Sequence, residues 1–219
     1  MHQALYDTPA EACPILRFLL PGCAPLLRDP IARRRLAVES SHFFIKTHEL
    51  PFDQYFPGER VILVIRHPGP ALLSYYTLLN RDDIITPSRS PCTKEAAIDG
   101  CCNHGDWSVF LSSYYRSGLG QRCHVIRYED LGANYHGILE KLARFLALPF
   151  WPGDPIAFSK LKATNPRFYR RGTNRDYERY YSRAQLLRLW ERHGAMARLY
   201  GYSPPDLSLA GKELYEGHS

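Results

Sequence analysis

Four short stretches of the chain carry side chains whose types and spacing suit chemistry on an anionic ligand. In the first, Lys46, Thr47 and His48 follow an apolar segment that begins at His42. An imidazole with an ordinary pKa of about 6.5 can take up a proton at neutral pH. Lys46, two residues earlier on an extended backbone, points to the same side and can stabilise nearby negative charge. In the second, Arg66 and Ser74 stand eight residues apart. A guanidinium fork at the end of one element and a hydroxyl about two turns into the next can converge on one phosphate, with the helix N-terminus adding partial positive charge. The third stretch is Tyr128-Glu129-Asp130. The fourth is Arg170-Arg171-Gly172, where glycine lets backbone N–H groups approach an anion closely.

The elements that must hold these groups are legible in part. His42 to Thr47 (HFFIKT) reads as a short strand that turns polar at its end. Arg60 to Arg66 (RVILVIR) has five consecutive apolar residues, the mark of a strand covered on both faces in a parallel sheet. The following PGPALLSYYTLLN reads as a helix with proline in its first turn. Arg81 to Gly105 is polar and reads as a long loop or lid, and Asp106 to Arg116 as a helix. His124 to Arg127 with Tyr128 is expected to be a short buried strand, and Tyr135 to Leu148 an amphipathic helix. Ser182 can cap a last helix running to about Leu199, with Leu186, Leu187, Leu189, Trp190 and Met196 as its apolar stripe. Residues 1 to 40 carry no clean period, because Pro9, Pro14, Pro21, Pro25 and Pro30 interrupt it. Strands alternating with helices predict an α/β domain with a mainly parallel sheet flanked by helices, in which ligands bind beyond the carboxyl ends of the strands. Three expected strands end in functional side chains: Lys46-Thr47-His48, Arg66-His67 and Tyr128-Glu129-Asp130. One such end is common, whereas three in one small sheet form a constellation.

Composition narrows the classes. The chain has 219 residues, 45% of them hydrophobic and 23% charged, which supplies a proper core and excludes wholesale disorder and low complexity. No stretch reaches the ~18 unbroken apolar residues of a bilayer span. The apolar run from Ile15 to Leu27 is cut by Arg17, Pro21 and Pro25 and lacks the build of a secretory signal, so the chain is expected to be soluble and cytoplasmic. The six cysteines (13, 23, 92, 101, 102 and 123) form no C-x-x-C pair and are expected to be reduced thiols. Cys92, Cys101, Cys102 and His104 could gather a metal, but vicinal cysteines suit one tetrahedral site poorly, and no metal is expected. The net charge of +6 is uneven: from Lys160 to Arg192 ten basic residues stand against three acidic ones. Such a concentrated field suits an anionic ligand. Arg183, Arg188 and Arg192 are accounted for by the wet face of the last helix, whereas Arg167, Arg170 and Arg171 precede it.

The sequence resembles the sulfotransferase family that uses 3′-phosphoadenosine 5′-phosphosulfate (PAPS), from about Phe43 to Tyr202. FFIKTHELP resembles the family's K-T-H-x-P strand end, and VILVIRHPGPALLSYY its R-[ND]-P-x(5)-S-[YF] segment. VIRYEDL matches the Y-E-D-L strand end, and FSKLKATNPRFYRRGTNRDYERYYS resembles the terminal F-x-x-M-K-x-N … F-x-R-K-G-x-x-G-D-W region. The resemblance implies a P-loop-NTPase-like three-layer α/β fold and metal-free transfer of a sulfuryl group from PAPS to a hydroxyl or amine acceptor, releasing 3′,5′-adenosine bisphosphate (PAP). It implies that His48 is the general base, with Lys46 beside it. It further implies that Arg66, Ser74 and the Arg170-Arg171-Gly172 loop hold the 3′-phosphate, and that Tyr128 and Phe158 line the adenine. Residues 41–203 are then the sulfotransferase-like domain, preceded by an atypical segment at 1–40 and followed by a tail at 204–219.

One family signature is not found: a strand followed by Y-P-K-S-G-[TN]-T, the loop that grips the 5′-phosphosulfate. The first forty residues hold a lone glycine, Gly22, in LPGCAP, with no lysine beside it. The sheet is therefore expected to be incomplete at the N-terminus, and turnover by this chain is left open. Three explanations stand: a reading that starts at an internal methionine, a non-catalytic nucleotide-binding remnant, or an anion loop supplied by another segment. A reading from another class makes the Lys160–Arg192 region, with Tyr169, Tyr177, Tyr180 and Tyr181, a nucleic-acid surface of stacking rings between cations. The expected partner is instead a small-molecule, glycan or lipid hydroxyl acceptor, with no nucleic acid and no membrane span. Acceptor identity and oligomeric state are not legible.

Overall fold

The computed structural model describes residues 59–80, 92–102, 105–150, 153–166 and 176–212, Val38, and the strand backbones at 16–19 and 42–45. The chain divides into two compact units, 1–59 and 60–219. In the first, strand β1 (Leu16–Leu19) pairs in parallel with β2 (His42–Ile45), Leu16 facing His42 and Leu19 facing Ile45. A strand ahead of β2, which the sequence reading did not find, is therefore present in this unit. Four residues (LRFL) in a parallel pair need not alternate, and so short a run shows no period. The LPGCAP stretch after it lies outside the described residues.

The second unit is built on β3 (Val61–Ile65) paired in parallel with β4 (Cys123–Arg127), in register from Val61 opposite Cys123 to Ile65 opposite Arg127. Between them run α1 (Pro68–Leu79), α2 (Lys94–Ile98) and α3 (Trp107–Arg116). After β4 come α4 (Tyr128–Ala133), α5 (Tyr135–Leu146), α6 (Phe158–Thr164) and α7 (Arg183–Leu199). The result is a mixed α/β fold in which short parallel strands are flanked by helices.

The sequence explains where these helices start. Asp106 caps α3 by accepting from the Val109 amide, and Thr93 caps α2 by accepting from Ala96. Ser182 and Gln185 form a reciprocal capping box at α7. The stretch expected to be all loop from Arg81 to Gly105 thus contains α2, a helix too short to show a period. The apolar stripe of α7 also differs from expectation. Leu186, Leu189, His193 and Ala197 face inward, while Leu187 is half exposed. Spacings of three and four residues select that face and leave 187 off it.

Two apolar clusters hold the unit together. One joins Leu63 and Ile65 of β3 to Leu111 and Tyr114 of α3, Ala197 of α7 and Tyr202. The other joins Leu72 of α1 and Ile98 of α2 to Leu186 and Leu189 of α7, with Tyr177 and Tyr181 from the turn before it. His193 bridges three helices at no solvent exposure. Its Nε2 lies 2.9 Å from the Ile98 carbonyl and its Nδ1 2.8 Å from the Ser108 hydroxyl.

The reduced-thiol expectation is corrected at one pair, because Cys92 and Cys102 form a disulfide. The Asn80 side chain holds the Cys92 carbonyl from one side, and the turn after α2 brings Cys102 back toward it. Cys101 is a free exposed thiol and Cys123 a free half-buried one, its pKa pushed up by burial. No group of metal-ligating side chains is gathered among the described residues, and His104 lies outside them.

Candidate functional site

Because Ile65 and Arg127 are in register on adjacent parallel strands, Arg66 and Tyr128 leave the sheet side by side. The guanidinium carbon of Arg66 sits 4.8 Å from the centre of the Tyr128 ring, a cation–π contact. Burial pulls the Arg66 pKa below its ordinary value, while Tyr128, Glu129 and Tyr202 act to raise it. This cation and half-exposed aromatic stand at the carboxyl ends of two parallel strands, the side of an α/β sheet on which ligands bind.

The backbone that launches this guanidinium is pinned at both poles of one peptide group. The Trp107 indole N–H donates to the Arg66 carbonyl at 3.2 Å, and the His67 N–H donates to Glu129 Oε1 at 2.9 Å. Glu129 Oε2 accepts from the Tyr202 hydroxyl at 2.9 Å. Burial, and then the bond to Glu129, push the Tyr202 pKa up, so this hydroxyl stays a proton donor. The His67 ring is used twice: Nδ1 accepts from the Gly69 amide at 3.1 Å, which assigns the proton to Nε2, 3.1 Å from the Ser203 carbonyl. The ring is enclosed by Tyr177, Trp190 and Tyr202. Its pKa is lowered chiefly by burial, so the imidazole stays neutral.

These bonds correct one expectation about α1. Its N-terminus was expected to lend partial positive charge to a bound phosphate. Of the four N–H groups that a helix start leaves over, His67's goes to Glu129 and Gly69's to the His67 ring, while Pro68 and Pro70 have none. The helix start is also buried. Glu129 already supplies an anion at that helix start. Ser74 lies in the second turn of α1, half-buried.

Of the other expected site residues, Phe158 opens α6 and is exposed, on a helix with no buried residue. The structure brings Arg66 and Tyr128 together. β2 ends immediately before Lys46. Lys46, His48, Arg170, Arg171 and Gly172 all lie outside the described residues. Sequence reasoning named His67 only as part of a strand end and missed Trp107 and Tyr202, neither of which carried a signal. The basic segment is also less free than its composition suggests. Arg188 binds Asp99 through two nitrogens, at 2.8 and 2.5 Å, and Arg192 reaches Asp106 at 2.6 Å. No helix among the described residues is long and apolar enough to cross a membrane.

Comparison with known proteins gives the family. A cytosolic sulfotransferase of Arabidopsis thaliana, number 15, is 31% identical over 100 residues, which is 43% of this chain. The chain covers only 27% of that protein's length. The crystal structure of mouse sulfotransferase SULT7A1, determined with PAP, shares the fold at a TM-score of 0.59 and 17% identity, over 78% of this chain and 70% of that one. The family model for the sulfotransferase domain matches residues 5–189. With most of its length inside that match, the chain belongs to the sulfotransferase domain family.

Proposed function

We propose that the protein is a PAPS-dependent sulfotransferase acting on a hydroxyl acceptor, with Arg66 and Ser74 as ligands of the nucleotide's 3′-phosphate. The observation that carries this reading is the Arg66 guanidinium held over Tyr128 at the ends of β3 and β4, in a chain of this family. A fork of N–H donors is the right partner for a phosphate, and the adjacent aromatic suits a purine. In this reading Tyr128 and Phe158 flank the adenine, and the Arg170-Arg171-Gly172 loop completes the 3′-phosphate cradle. The catalytic domain spans 41–203, between the 1–40 segment and the 204–219 tail.

PAPS, when bound, supplies the sulfuryl group. The chain's part is to remove the proton of the acceptor hydroxyl as its oxygen attacks, which falls to the imidazole of His48, and to stabilise negative charge, which falls to Lys46. The sequence holds no Y-P-K-S-G-[TN]-T segment for the 5′-phosphosulfate, and LPGCAP carries no lysine, so PAP is expected to bind more readily than PAPS turns over.

Calorimetric titration of PAP into the wild type, Arg66→Ala and Arg171→Ala tests the reading. Saturable binding by the wild type, weakened by two orders of magnitude or more (about 3 kcal/mol) in Arg66→Ala, supports it. Absence of binding to the wild type refutes it. Where turnover is measurable, His48→Ala should lower kcat by about 100-fold or more and leave PAP affinity intact.

A further inference from the structure

Helix α2 is five residues long, and a run this short does not offset the cost of its own nucleation. Tertiary contacts must hold it. Ala97 and Ile98 are buried, and Ile98 belongs to the cluster of Leu72 in α1 and Leu186 and Leu189 in α7. Its polar ties reach α7 and the turn before it: Lys94 to the Tyr180 carbonyl, Glu95 to Gln185, the Ile98 carbonyl to His193, and Asp99 to Arg188. The Glu95 and Asp99 pairs lie at the surface, where such pairs contribute little. Around this helix Cys92 and Cys102, both half-buried and ten residues apart in sequence, close a covalent loop. Each cysteine is also placed by neighbours outside the loop. From the end of α1, the Asn80 side chain donates to the Cys92 carbonyl at 2.8 Å. On the other side Gly100, with φ of 72°, lies so close to Asp106 that a Cβ would come 2.6 Å from the Asp106 Cα. The Gly105 N–H then donates to the Cys102 carbonyl at 2.8 Å. Of the two vicinal cysteines, the turn sends 102 toward Cys92 and leaves the Cys101 thiol exposed.

We propose that the Cys92–Cys102 bond is a redox-operated clasp on α2: closed, it keeps α2 docked on α1 and α7, and its reduction releases α2 locally while the paired strands stay folded. The reductant is a thiol of the glutathione class. One thiolate attacks a sulfur of the bond, forming a mixed disulfide with that cysteine and expelling the other as a thiolate. A second thiolate then displaces the first cysteine. The two reductant sulfurs leave joined, and their two protons end on Cys92 and Cys102. Closing a loop of this size lowers the population of the open state by roughly 100-fold through chain entropy. The apolar cluster of β3, α3 and Tyr202 takes no residue from the loop and does not depend on the bond. Because neighbours outside the loop hold both cysteines, the thiols stay close and the bond re-forms without refolding of the unit. The inference is independent of nucleotide binding.

Cys101→Ser is the background for the test, since it removes the exposed thiol that would exchange with the bond. Disulfides are mapped on unreduced peptides. Amide hydrogen exchange is followed by mass spectrometry with the bond closed, after reduced glutathione, and after return to oxidised glutathione. The map should join Cys92 to Cys102. On reduction, exchange at residues 97–101 should quicken by about tenfold or more, with Val61–Ile65 and Cys123–Arg127 unchanged, and oxidised glutathione should restore the slow rate. Adding Cys92→Ala and Cys102→Ala together should give the fast rate in all three conditions. A map without the Cys92–Cys102 pair, a bond that glutathione leaves intact, or a bond that oxidised glutathione does not restore would each overturn the proposal. So would exchange at 97–101 that reduction leaves unaltered, or equal acceleration in β3 and β4.

Discussion

Gly69 shows how one missing side chain can decide a local structure. A Cβ added there would lie 2.0 Å from Cε2 of the buried Tyr177 ring. In an isolated helix alanine is preferred to glycine by about 1 kcal/mol. Here the ring lies against the first turn of α1, and the Tyr181 hydroxyl donates to the Gly69 carbonyl at 3.1 Å. Neither tyrosine can retreat without opening the cluster they share with Leu72 and Leu186. Overpacking therefore outweighs propensity, and Gly69→Ala should lower stability by about 2 kcal/mol in urea denaturation. A gain in stability would show that the ring moves aside freely. Arg66 and Tyr128 could be read from the sequence because each stands at the end of an apolar run. His193 could not, being one of nine histidines. Yet its spacing of four from both Leu189 and Ala197 placed it on the buried stripe, and only the habit of reading histidine as polar hid it.

At the scale of elements, α5 ends on Ala147 in the left-handed region, with φ of 55°. An L side chain is disfavoured there by about 1 kcal/mol relative to glycine. Ala147 is exposed and caps the helix through its own amide, so the substitution costs no packing. Ala147→Gly should raise stability by about 0.5–1 kcal/mol, seen as a rise of roughly 2–4 °C in Tm. An unchanged Tm would argue against a left-handed cap. The elements that were legible, β2, β3, β4, α1, α3, α5 and α7, show an apolar run, a capping residue or an amphipathic helical pattern. β1 and α2 have four and five residues, too few to show a run or a period. Pairing with β2 and packing on α1 and α7 stabilise them instead, and those contacts are made between residues distant in sequence.

For the whole molecule, buried imidazoles set the response to acid. His67 faces Glu129, Glu178 and Arg127, and His193 faces Asp106, Asp99 and Arg192. In both, burial outweighs the carboxylates and holds the folded-state pKa below the ordinary 6.5. The unfolded chain then binds more protons than the folded one once the pH drops below about 6.5. Stability should be level above that value and fall on acidification toward the depressed folded values. Urea midpoints across about pH 5 to 8 check this, and His193→Gln should flatten part of the slope. A profile level down to pH 5 would contradict neutral, buried rings. Charge balance at this scale was not legible either. The surplus between Lys160 and Arg192 is visible in the sequence, whereas the pairing of Arg188 with Asp99 and Arg192 with Asp106 depends on α7 lying across α2 and α3. The indole bond from Trp107 to the Arg66 carbonyl has a practical corollary. Emission from that tryptophan is sensitive to the polarity and hydrogen bonding at its N–H, so the difference between the wild type and a Trp107→Phe variant, with Trp151 and Trp190 in common, is an optical probe of the arginine turn that needs no label.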